Sequence, residues 1–307
     1  MRIDQRNAGA AVTANGAYPV DRFIANNSND GAYSAQRDTV APTGFINSLK
    51  WTTTTADGSL SASQYAGIGQ LIEGFNTADL AWGSANAKTV TFSFWVRSSL
   101  TGTFGGALRN SAANRSYPFT YSISVADTWE YKTVTVAGDT SGTWVTDNGV
   151  GIRVFFGLGA GTDWSGTAGA WNSNNNLTAT GAVSVIGTLN ATFYVTGVQL
   201  EVGSVATPFE RRPYGMELAL CQRYYELYDG GILFLTKLRE SDRNRYGNFF
   251  LKVTKRASAT ITLITSSTDG GGAINATGGI DGGVFSSLST ADNQAPNVTK
   301  FSASAEL

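Results

Sequence analysis

The chain has 307 residues, of which 15% are charged and 42% hydrophobic, with 36 glycines, one cysteine, no histidine and a formal net charge of −1. That balance argues against a general binder of nucleic acid or anionic membrane, which needs a broad basic field. The lone Cys221 excludes an intrachain disulfide framework and a multi-thiolate metal site, which suits assembly in a reducing cytoplasm. The lack of histidine removes the Ser-His-Asp and Cys-His nucleophiles, histidine metal clusters and the commonest acid/base residue near neutral pH, while carboxylate-only chemistry survives as an option.

No stretch approaches the roughly 20 apolar residues that span a bilayer, and the opening MRIDQRNAGAAVTANG lacks the apolar middle of a secretory signal. The expectation is a soluble chain with no membrane insertion. Within 1–88, PVDRFI, GFINSLKWTTTT and SQYAGIGQLIEG supply strands to a common core. GIGQ reads as a turn, because no GK[ST] follows it as a phosphate loop requires.

In TVTFSFWVR (89–97), Val90, Phe92, Phe94 and Val96 alternate with Thr91, Ser93, Trp95 and Arg97, the period of a strand with one buried face. Trp95 is then an exposed platform or is covered by residues 1–50, and the pattern favours cover. TWEYKTVTV (128–136), GVGIRVFFGL (149–158) and TFYVTGVQLEV (192–202) repeat the alternation, with Gly197 placed for a bulge. AGDTSG and TDNG supply turns between them. The class is all-β, an antiparallel sandwich over 1–205.

The loop DWSGTAGAWNSNNN (163–176) carries two tryptophans, and loops rarely spend tryptophan without a packing or binding reason. Trp164 and Trp171 with Asp163, Asn172 and Asn174 offer aromatic faces and polar groups for a sugar ligand. The alternative is that both tryptophans fold back to cap the sandwich, and Trp82 and Trp144 beside turn signals read as packing. Asp127, Asp139, Asp147 and Asp163 lie near predicted turns, but nothing matches a DxDxDG calcium loop, so no metal ligand is assigned. No carboxylate pair announces a catalytic cleft, and the chain is expected not to be an enzyme.

PFERRPYGMELALCQRYYELY (208–228) differs from everything before it. A linker and junction helix is predicted over 206–229, with Pro213 at its start and helix from about Tyr214 to Tyr228. Met216, Leu220, Tyr224 and Leu227 form one apolar stripe, and Leu218, Cys221, Tyr225 and Tyr228 a second, leaving Glu217, Gln222, Arg223 and Glu226 polar. A helix apolar on so much of its circumference is expected to be covered on several sides. Met216, Leu220, Arg223, Tyr224 and Leu227 are therefore expected at a junction between subunits. Glu210, Arg211, Arg212, Glu217, Arg223 and Glu226 either pair across that seam or form a solvated face, with Arg223 and Glu226 spaced to meet on a helix. Cys221 reads as a small buried hydrophobe.

A smaller C-terminal β domain is predicted over 230–307. ILFLTKL (232–238), GNFFLKVTK (247–255) and SATITLITS (258–266) read as strands, DGGGAINATGGIDGGVFSSLS (269–289) as loop, and NVTKFSASAEL (297–307) as a closing strand.

Residues 193–226, FYVTGVQLEVGSVATPFERRPYGMELALCQRYYE, resemble a module of tail-fibre and related structural proteins of tailed bacteriophages. There a carbohydrate-binding-like β-sandwich of jelly-roll type ends in a GVQLE-type strand and passes through a PFE-RP-ELALCQRYY segment to a terminal β domain. MRIDQRNAGAAVTANGAYPVDRF (1–23), VTFSFWVR (90–97), the 128–151 run and FSASAEL (301–307) support the resemblance. A strand usually precedes the MRIDQRN segment in that family, whereas this chain begins there. The resemblance implies a virion protein assembled in the host cytoplasm, homotrimeric, without cofactors. It works as a tail-fibre or receptor-binding component whose partners are its own copies, other virion proteins and a host cell-surface glycan. Two alternatives stand beside that reading: a head fibre or capsid-decorating protein, and a glycan-active enzyme or its binding module.

Overall fold

A computed structural model describes residues 1–234, 236, 237, 244–267, 271–289 and 296–307, with side chains described except at 230–234, 236, 237, 244, 271, 272 and 289. The chain divides into two compact units, 1–211 with Leu307 and 212–306.

The first unit contains strands β1 (Ala17–Val20), β2 (Phe23–Ser28), β3 (Ala32–Asp38), β4 (Ser48–Thr55), β5 (Tyr65–Glu73), β6 (Val90–Ser98) and β7 (Gly102–Arg109). It continues with β8 (Ser116–Ile123), β9 (Glu130–Val136), β10 (Val150–Ala160), β11 (Ser165–Gly166), β12 (Thr178–Ala179) and β13 (Thr192–Val202). A six-stranded sheet runs β1-β2-β5-β10-β7-β8 and a five-stranded sheet β3-β4-β13-β6-β9, all antiparallel, with β11 and β12 pairing in parallel beside them. This is the antiparallel β-sandwich that the alternating runs predict, of the jelly-roll type that the resemblance implies.

The alternation fixes which residues meet between the sheets. Val90, Phe92, Phe94 and Val96 of β6 are fully buried. From the other sheet Phe156 meets them with ring centroids 5.6 Å from Phe92 and 5.1 Å from Phe94, and Phe119 lies 5.6 Å from Phe92. Such offset and edge contacts add to the area that the rings bury.

Gly197 makes the predicted bulge: its φ is +59°, and the β13–β6 register shifts between Thr196 and Gln199. A Cβ there would fall 2.7 Å from Phe45 and 3.2 Å from Trp95. The half-buried Trp95 is therefore flanked by Phe45, from the segment expected to cover it, and by Tyr131 of β9 at 5.4 Å. The residues after β13 fold back on this unit. Thr207 donates through its N–H and hydroxyl to Glu201, the Glu210 N–H donates to Gln199, Phe209 meets Phe45 edge-on at 5.2 Å, and Arg211 lies over Phe45 at 4.8 Å.

The second unit opens with α1 (Tyr214–Gln222), capped by Pro213, whose carbonyl accepts from the N–H groups of Met216 and Glu217. The helix predicted to reach Tyr228 stops at Gln222. Tyr225 onward is strand β14 (Tyr225–Phe234), which pairs with β20 (Asn297–Ser304) from Tyr225↔Ser304 to Phe234↔Asn297. The aromatic pair explains the change. Tyr228 lies directly opposite Phe301 and stacks on it at 4.9 Å, so a β-favouring run gains a cross-strand partner that a helix would deny it.

Two expectations fall with the shorter helix. Leu227, Tyr225 and Tyr228 do not add to an apolar circumference of α1. Glu226 is not a helical neighbour of Arg223: its carboxylate is buried against the Lys255 ammonium at 2.8 Å and accepts from the Lys252 N–H. On α1 itself Tyr214, Met216 and Leu220 are exposed, Cys221 and the following Tyr224 are buried, and Arg212 pairs with Glu217 at 3.5 Å.

The remaining strands are β15 (Thr236–Lys237), β16 (Asn244–Phe250), β17 (Thr260–Ser267), β18 (Gly271–Gly278) and β19 (Gly282–Ser289). They form sheets β14-β20-β17 and β15-β16-β19-β18 around Phe249, Phe285, Val298 and Phe301. The stretch 269–289, expected as loop, holds β18 and β19 joined at 279–281, because Ile274 and Ala276 on one strand and Phe285 and Ser287 on the other turn inward at alternate positions. The strand expected over 247–255 ends at Phe250. In ILFLTKL, Leu235 and Leu238 lie outside the described residues.

Candidate functional site

The outer face of the six-stranded sheet carries a recess lined by both apolar and polar side chains. Strand register sets Ile24, Gly69, Phe155, Ala107 and Pro118 in one row across it, and Leu71, Arg153, Arg109 and Ser116 in the next. Where Gly69 offers no side chain, a recess of about 210 Å³ forms, walled by Tyr65, Phe155 and Trp164 and edged by Asn26 and Asn175. Tyr65 holds the aromatic wall together, 4.9 Å from Trp164 and 6.4 Å from Phe155. Trp164 Nε1 donates to the Ser63 carbonyl at 2.7 Å, which fixes the ring while leaving it half-buried.

Arg109 and Arg153 also line the recess. Arg109 is 9% exposed and donates from Nη1 to Asn175 Oδ1 at 2.6 Å. Both Nε–H groups are buried without an acceptor. Burial, with the charge of Arg153 beside it, pulls Arg109 down to about 10, and burial likewise lowers Arg153. No carboxylate acts on either guanidinium, and among the described residues none makes an ion pair with them. A buried charge without a partner is costly, which makes this corner of the recess a standing attractor for an anion.

The 161–183 segment covers the rest of the face. Thr178 of β12 sits so close over β7 and β10 that a Cβ on Gly105 or Gly157 would fall within 2.6 Å of it. Ser116 Oγ ties Asn172 and Asn174 to the end of β8. The five residues chosen from the sequence therefore separate. Trp164 lines the recess, with the exposed Asp163 next to it in a 3-10 turn. Trp171 packs elsewhere, against Trp82, Trp144 and Tyr117 at 5.3, 5.4 and 5.3 Å, and its Nε1 donates to Ala137. Asn172 and Asn174 hold the loop to Ser116.

The four aspartates considered for calcium do not converge. Asp127 meets Arg97, Asp139 forms a two-bond pair with Arg115, Asp147 accepts from its own turn at Gly149, and Asp163 is exposed. Among the described residues no three His, Cys, Asp or Glu side chains cluster as a metal would need.

Sequence reasoning missed Tyr65, Arg109, Arg153 and Asn175. Two arginines were visible as signals: each interrupts an apolar run, GTFGGALRN and GVGIRVFFGL, at an outward position, and only the pairing of β7 with β10 places them opposite each other.

No family model and no curated protein matches the chain. Among solved structures, the enzymatically active domain of tailspike protein 4 of bacteriophage CBA120 is similar at 10% identity and a TM-score of 0.34, over 66% of this chain and 22% of that one. The family 11 carbohydrate-binding module of the Clostridium thermocellum cellulase Lic26A-Cel5E is similar at 16% identity and a TM-score of 0.31, over 66% of this chain and 99% of the module. The xylan-binding CBM22-1 domain of Paenibacillus barcinonensis Xyn10C gives 9% identity and a TM-score of 0.31, with the same two shares. The likeness is one of sandwich architecture.

Proposed function

We propose that the first unit is a glycan-binding module, taking a saccharide into the recess of its six-stranded sheet without catalysis of its own. The observation that carries this reading is the convergence of three aromatic side chains, Tyr65, Phe155 and Trp164, with the amides of Asn26 and Asn175 in one concavity. Ring faces stack on the C–H surfaces of a sugar, and amides satisfy its hydroxyls.

The sequence resemblance of 193–226 supports a setting for the module: a virion component of a tailed phage, tail-fibre or receptor-binding, assembled in the host cytoplasm and carried in three copies. The exposed Tyr214, Met216 and Leu220 of α1 offer a face for neighbouring copies. Weak sites repeated on several subunits then hold a host surface by avidity. The recess would serve equally in the binding module of a glycan-active enzyme, since nothing in its chemistry requires a virion.

A glycan array probed with the full chain tests the reading. Trp164→Ala and Tyr65→Ala are expected to weaken binding about tenfold or more, roughly the worth of one stacked ring, while folded Trp171→Ala keeps it. Uniform signal on all glycans, unchanged by Trp164→Ala, would favour capsid decoration. Release of reducing ends from host polysaccharide by the purified chain would sink the non-catalytic reading, and antibody labelling of phage particles separates the two settings.

A further inference from the structure

We infer that the recess selects an acidic saccharide, a sugar acid whose carboxylate is held between Arg109 and Arg153. The inference rests on the glycan-binding reading above and adds the chemical class of the ligand.

Three observations carry it. Arg109 and Arg153 are register partners on adjacent antiparallel strands, so their side chains leave the same face about 5 Å apart at Cβ. Like charges set opposite each other destabilise a sheet, and here the neighbouring strands answer them with Leu71 and Ser116 instead of an acid. Next, Arg109 is buried and Arg153 half-buried, yet both are incompletely bonded. Asn175 takes one N–H of Arg109, while both Nε–H groups meet no acceptor. A guanidinium presents its N–H groups as a planar fork that matches a carboxylate through two parallel bonds, and such charge-assisted bonds strengthen where water is excluded. Finally, the charged corner and the aromatic wall share one cavity, with Tyr65 and Phe155 lining the same recess as the arginines rather than a separate surface. A ring stacked on the wall and an acid group on the same sugar would engage both at once. A free inorganic anion would leave the wall unused, and a neutral sugar would leave the charges bare.

The test is calorimetric titration of the full chain with a panel of oligosaccharides of galacturonate, glucuronate, mannuronate and sialic acid, each paired with its methyl ester. The ester keeps shape and stacking and removes the charge. At least one acid is expected to bind about 10- to 100-fold more tightly than its ester, the worth of one charge-assisted contact. Arg153→Gln should make the two forms equal, Arg153→Lys should restore part of the preference, and Trp164→Ala should weaken both forms alike. Circular dichroism and thermal melting of each variant establish that it is folded.

Equal binding of acids and esters by the native chain would overturn the inference while leaving glycan binding intact. Binding of a phosphorylated oligosaccharide in preference to every carboxylated one would overturn the carboxylate assignment. Failure of acids and esters alike, beside neutral glycans that bind, would overturn the inference, and failure of every saccharide would take the glycan-binding reading with it.

Discussion

On the outer face of the five-stranded sheet, Arg97 lies 3.0 Å from Asp127 and over the Tyr194 ring at 5.0 Å, and Lys50 lies 3.6 Å from Asp38. Across the sandwich, Arg109 and Arg153 face each other with an amide and aromatic rings for company. Both sheets close on the same core and both put cations outward, yet one face neutralises its charge locally and the other does not. Local ion pairs on a wet surface settle a face into being surface. Unanswered charge in a hollow is a feature that core packing alone does not explain.

What the two faces share is the largest lever. Phe156→Ala removes a fully buried ring that touches Phe92, Phe94 and Phe193, and should cost about 3–5 kcal/mol in urea unfolding. A loss near 1 kcal/mol would mean that the two sheets do not depend on one core. At intermediate size, the faces should respond with opposite sign. Arg97→Ala is expected to lower stability by about 1 kcal/mol, through the lost ion pair and ring contact. Arg153→Leu should raise it by about 0.5–1 kcal/mol, because like-charge repulsion and burial of a charge are both relieved. Equal losses from the two would show the arginine pair to be structurally satisfied.

The smallest effect is in acid. Burial works to raise Glu130 and Glu201, but it is outweighed for Glu130 by Lys132 and the N–H groups of Val125 and Ser124, and for Glu201 by Thr207 and Gln199. Both carboxyls therefore sit below their ordinary value in the folded chain, so the stability they lend is present above pH 4.5 and is lost as the pH falls through their folded values. Both lie on the five-stranded sheet. Hydrogen exchange at descending pH should loosen β9 and the 202–211 segment before β5, β7 or β10; simultaneous loosening of both sheets would remove this distinction between them.

Period-two patterning in TVTFSFWVR and GVGIRVFFGL made the sandwich legible, because a strand with one buried face writes its orientation into alternate residues. The helix end was illegible for a related reason. YYELY satisfies a helical stripe and a strand equally well, and only β20, some seventy residues away, decides between them by placing Phe301 opposite Tyr228. The candidate site was half legible. Trp164 stood out as a tryptophan in a loop, and so did Trp171, but their fates depend on whether Tyr65 or Trp82 lies beneath, which no local pattern encodes. The arginine pair is the clearest case, since 44 positions separate Arg109 from Arg153 and register alone brings them together.

The seat of Thr178 over Gly105 and Gly157 carries a last consequence. Two strands give up their side chains so that a loop can lie flush on the sheet, and the loop that bears Trp164 and Asn175 is thereby moored at its far end. A guest entering such a mould need not first freeze a wandering flap, so little of its contact energy is consumed in ordering the host. Capture should accordingly be quick, with the backbone of the free and occupied forms nearly superimposable.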